Sequence, residues 1–144
     1  MQVLAVLFGS LLLFRLSGLA GLEVFGAWIT CARAALAVMF AFTAAAHFLP
    51  VKRDLIAMVP PAFPRPDVLV ALTGIAELAG AIGLLLPATR GLAVLGLIVL
   101  LALMLPANIS AARRGVTLRG RAATPLWLRV PMQILFAAWA WCVR

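Results

Sequence analysis

The chain has 144 residues, 66% hydrophobic and 11% charged, with a net charge of +8 and a mean hydropathy of +1.18. This composition excludes an ordinary soluble domain and predicts one all-α, polytopic membrane helix bundle over residues 1–144. Nucleic acid is not the expected partner. The basic residues form short clusters between apolar runs, where they orient helices and meet anionic lipid.

Five apolar runs, residues 3–22, 33–49, 68–87, 92–112 and 126–143, each come close to the about 20 residues that cross a hydrocarbon core. The first run carries Arg15. Met1-Gln2 gives it no basic start, and no convincing small-x-small cleavage site precedes Glu23, so a retained helix is expected rather than a secretory signal.

The second run ends with Thr43 and His47, just before Pro50. Residues 51–59 place Lys52, Arg53 and Asp54 before Leu55, Ile56, Met58 and Val59, the pattern of a short interfacial helix. Pro60, Pro61, Pro64 and Pro66 then force an extended path back to the membrane. Two readings stand for this connection, a stiff linker and a cytoplasmic lid.

The third run holds Glu77 among ten Leu, Ile or Val residues and no other ionisable group. An acid at mid-bilayer costs roughly 2.5–3.5 kcal/mol on insertion scales, which the aliphatic side chains offset at about 0.3–0.6 kcal/mol each. Gly74, Gly80 and Gly83 share a stripe with Glu77, and Thr73 lies one turn before it. Small residues there admit another backbone, so the acid is expected to face a helix; the stripe suits the bundle or a homo-oligomer.

The fourth run contains Asn108 after Pro106, and the last contains Gln133. Lys52, Arg53 and Arg65 in one connection, and Arg113, Arg114, Arg119 and Arg121 in another, share a side if five helices cross. The positive-inside rule makes that side cytoplasmic, with the N-terminus inside and Arg144 outside. Trp127 fits the inner boundary, Trp139 and Trp141 the outer one.

At about 1.5 Å per residue, His47 and Asn108 fall about 5 Å deep, Gln133 about 12 Å and Glu77 about 15 Å, with Arg15 about 6 Å farther out. If all face inward, they form two layers of one polar track. Each has a plainer alternative. His47 caps its helix, Asn108 bonds carbonyls that Pro106 leaves free, Gln133 ties two helices, and Arg15 snorkels outward. Glu77 has the weakest alternative, since a buried acid must be paired or neutral. Cys31 and Cys142, both expected at the outer face, are either a disulfide or two unrelated small residues. No intrinsic cofactor is expected: a single histidine rules out a multi-histidine metal or haem site within one chain.

Ala46-His47-Phe48, Met58-Val59-Pro60-Pro61, the segment from Gly74 through Glu77 and Gly80 to Pro87, and Pro106-Ala107-Asn108 together resemble the DoxX family of small bacterial membrane proteins. The resemblance covers about residue 33 onward and leaves the first helix outside. It implies a four-helix membrane core, with His47, Glu77 and Asn108 as the family's polar motif positions. It also implies association with membrane oxidoreductase systems, including quinone-linked ones. One departure is that Thr43, Ala44, Ala45 and Ala46 fill the turn where the family often has glycine.

Three functions follow. The first is an accessory subunit of a membrane redox system, holding a quinone- or lipid-like ligand between helices, with an oxidoreductase partner because the chain has no electron carrier of its own. The second is a small transporter or proton pathway using Glu77. The third is a structural or assembly protein without its own activity.

Overall fold

In the computed structural model, residues 2–118, 120–122 and 124–144 are described. Six α-helices follow in chain order: α1 (Gln2–Leu19), α2 (Trp28–Ala46), α3 (Lys52–Met58), α4 (Pro66–Leu85), α5 (Arg90–Arg114) and α6 (Leu126–Cys142). A one-turn 3-10 helix, Glu23–Phe25, joins α1 to α2. Between α5 and α6 the strands Thr117–Leu118 and Arg121–Ala122 pair antiparallel. Arg119, on that connection, lies outside the described residues. Four helices, α1, α2, α4 and α5, are long and apolar enough to cross a membrane; α6 is a shorter apolar helix.

Helix α2 packs on α1 and α4, α4 on α5, and α5 on α6. The ring closes where Arg33 Nε donates to Val143 O at 3.0 Å and Trp139 Nε1 to Ala32 O at 3.1 Å. Arg33, which as a charge would mark a helix start, thus lies inside α2, which begins at Trp28. Helix α1 leans on the outside of α2 with Leu7 buried, and Phe8 meets Trp139 edge-on at 5.8 Å.

The stripe Val70, Gly74, Glu77, Ala81 and Leu84 is the buried face of α4. Its 4-3-4-3 spacing is the heptad-like seam of packed helices. The other face presents Leu72, Ile75, Leu78, Ile82 and Leu85 outward. Such an apolar exterior suits lipid rather than water. Both faces are hydrophobic, so the small residues, not polarity, decide which one packs.

Gly74, Gly80 and Gly83 of α4 each have their own neighbour inside the chain. A Cβ at Gly80 would stand 2.5 Å from Leu97 Cδ2, and one at Gly83 would stand 2.8 Å from Ala93 Cβ, both on α5. Gly74 faces α2 instead, at His47.

Helix α5 runs unbroken through Pro106 and ends at Gly115. That residue has φ +63°, a conformation glycine adopts without a Cβ clash, and Val116 N bonds Ala111 O at 3.0 Å. Arg65 takes φ 52° ahead of Pro66, which disfavours the right-handed helical region for the residue before it.

Helix α3 lies where the interfacial segment is expected and packs on α4 and α5. Arg114 holds its C-terminal end. The Nη2 of Arg114 donates to the carbonyls of Ala57, Met58 and Val59 at 2.7, 3.0 and 2.9 Å. A cation on the last carbonyls of a helix meets both their open lone pairs and the negative end of its dipole.

Candidate functional site

Among the described residues, the buried polar or charged side chains are His47, Glu77 and Asn108. His47 follows the last residue of α2, and Glu77 is the twelfth of the twenty residues of α4. They meet: His47 Nδ1 lies 3.8 Å from Glu77 Oε2, with side-chain exposures of 9% and 4%. The two layers expected from depth therefore merge here. The estimate placed every helix end at one plane, but α2 stops beside the middle of α4, and α3 fills the space below.

The pair sits in a tight seat. A Cβ at Gly74 would lie 2.5 Å from His47 Cβ and 2.8 Å from its Cγ. His47 Nδ1 is also 3.1 Å from Thr43 O, one turn back on its own helix. Its capping role and its contact with Glu77 coexist. Thr43 also neighbours the Glu77 carboxyl, and its hydroxyl donates to Phe40 O at 3.0 Å. Glu77 Oε2 is buried and has no hydrogen-bond partner. Thr73 does not join the pair; its hydroxyl donates to Val70 O at 3.0 Å on its own helix.

Asn108 belongs to a second polar centre. Its Oδ1 accepts from Nη1 of Arg129, a half-buried residue in the first turns of α6. Among the described residues, no side-chain bond returns it to the carbonyls loosened by Pro106. Gln133, one turn beyond Arg129, donates from Nε2 to Leu101 O at 3.2 Å. That carbonyl is next to the Ala102 carbonyl, which Pro106 leaves without its amide partner. Among the described residues, no hydrogen bond or ion pair joins this centre to His47 and Glu77, so the continuous polar track is not formed by direct bonds.

Arg15 takes no part in either centre. Its Nη1 donates to Gly26 O at 2.7 Å, and its guanidinium lies 4.9 Å from the Trp28 ring centroid. The side chain turns to the α1–α2 connection, as the snorkelling alternative allows. Arg129 was missed because it is a single cation in an otherwise apolar run; its charge was the available signal. Among the described residues, no three of His, Cys, Asp and Glu gather as they would around a metal ion. Cys31 and Cys142 are both free thiols, the first buried and the second exposed.

A model of a domain of unknown function, DUF8561, matches residues 36–144. The chain belongs to the DUF8561 family. No curated protein and no solved structure matches it. The DUF8561 region begins inside α2 and leaves α1 outside, and it contains all of His47, Glu77, Asn108 and Arg129.

Proposed function

We propose that the protein is a small multi-pass protein of a bacterial cytoplasmic membrane in which the His47–Glu77 pair accepts, holds and releases a proton. One observation carries this reading: Glu77 Oε2 is buried without a hydrogen-bond partner, 3.8 Å from His47 Nδ1. A carboxyl serving only to tie helices would have its buried oxygens satisfied. An imidazole beside a carboxyl tunes the proton that the carboxyl binds and releases, and Nδ1 of His47, turned to the Thr43 carbonyl, presents an N–H edge to Glu77. Lys52 and Arg53 on α3, with Arg113 and Arg114 at the end of α5, gather at one end of the bundle. This supports a cytoplasmic α3 end, with the N-terminus on that side and Arg144 outside.

Reconstitution into liposomes with an imposed pH gradient tests the reading. The wild-type chain is expected to dissipate the gradient and Glu77→Gln to lose that activity while keeping its helical circular dichroism. Equal flux from both would reject it.

A second reading draws on the DoxX resemblance. The buried polar residues His47, Glu77 and Asn108 are the motif positions to which that resemblance attaches. On this reading the chain is an accessory of a membrane redox system. Its partner oxidoreductase supplies electrons, and the pair supplies protons to a quinone- or lipid-like ligand between helices. It stands second because Asn108 and Gln133 are already bonded to Arg129 and Leu101, which a quinone would have to displace. Quinone that co-purifies with the chain, and is lost in Asn108→Leu, would move it to first place.

A further inference from the structure

An open groove of about 500 Å³ lies between the end of α3 and the last turns of α5, lined by Pro60, Pro106, Ile109, Ser110, Arg113 and Arg114. Its walls are of two kinds. Pro60 and Pro106 have no backbone N–H to offer, and with Ile109 they make an apolar floor. Every ionisable group on the lining is an arginine.

The groove is held in shape by Arg114. That side chain spends Nη2 on the α3 carbonyls of Ala57, Met58 and Val59 and Nε on Ser110 Oγ at 3.0 Å. Arg113 is exposed, and among the described residues no hydrogen bond or ion pair engages its guanidinium. A fixed apolar slot thus ends at an unengaged cation, at the level where α5 stops at Gly115.

We infer that this groove binds one anionic phospholipid, with its phosphate on Arg113 and the rim of Arg114, and an acyl chain along Pro106 and Ile109. The charge complementarity carries the choice of occupant. Arginine beside an apolar surface at a membrane boundary recognises an acidic headgroup and tail together, whereas a zwitterionic headgroup adds its own cation to a site already positive. The inference rests on a membrane-spanning chain but not on the proton chemistry of Glu77.

Native mass spectrometry of the full chain, titrated with phosphatidylglycerol or phosphatidylcholine in detergent micelles, tests it. One phosphatidylglycerol is expected to bind saturably and in preference to phosphatidylcholine. Arg113→Gln should weaken that binding about fivefold, the share of one arginine near an anionic surface. Ile109→Gln should weaken it as well, because the tail loses its floor. Arg53→Gln, an exposed cation outside the groove, and Glu77→Gln should both leave it unchanged. Equal retention of the two lipids would overturn the inference, as would an equal loss in Arg53→Gln or displacement of the lipid by inorganic phosphate alone.

Discussion

Gly74 of α4 and His47 of α2 are in direct contact, close enough that a Cβ on residue 74 would stand 2.5 Å from the histidine Cβ. This approach sets the ring beside Glu77. The obstructing atoms are the root of the side chain, so rotation of the ring cannot relieve the clash. Gly74→Ala is expected to destabilise the bundle by about 1–3 kcal/mol, the range for overpacking, and to shift the His47 ring resonances. Unfolding in detergent with side-chain NMR checks both; an unchanged midpoint and spectrum would contradict the contact.

The bond between Arg129 and Asn108 joins α6 to α5. A hydrogen bond with one charged partner contributes about 1.5–3 kcal/mol. Asn108→Leu and Arg129→Leu, measured singly and together, should show a coupling energy of that order. A coupling near zero would mean that each side chain is satisfied elsewhere.

Helix α3 has seven residues, well short of the about 12–15 at which an isolated helix becomes even marginal in water. Its order therefore depends on docking, and Arg114 supplies three of the docking bonds. Arg114→Ala should raise amide exchange across residues 52–58 by at least about tenfold, the equivalent of one such bond, with α4 unaffected. Unchanged exchange would show that apolar contact alone holds α3.

Cys31 is buried, with Sγ 3.1 Å from Phe25 O, and Cys142 is exposed. A maleimide added in mild detergent should label Cys142 alone, with Cys31 labelled only after unfolding. Equal labelling, or a disulfide visible without reductant, would contradict this arrangement.

The apolar runs were legible because a stretch of about 20 apolar residues with at most one charge has few alternatives to a helix. The special standing of Glu77 was legible too, as an acid where acids are costly. Helix ends were less so. Arg33 looks like a boundary but extends to Val143 O from within α2. Counting residues placed His47 shallower than Glu77, because nothing in the order of residues says that α2 ends beside the middle of α4. The small residues of α4 marked a packing face, yet not that Gly74 serves α2 while Gly80 and Gly83 serve α5. Arg15, a candidate, turns away from both centres, and Arg129, which was not one, holds Asn108, for one reason. A long cationic side chain reaches several ångströms, so its partner is set by tertiary packing and not by its place in the run.

The central claim is that Glu77 exchanges a proton beside His47. Infrared difference spectra of the reconstituted protein, recorded between acidic and alkaline buffer, test it most directly. A protonated-carboxyl C=O stretching band is expected that titrates, is absent in Glu77→Gln, and shifts in His47→Gln. A Glu77 band that does not respond to pH, or one that ignores replacement of His47, would contradict it.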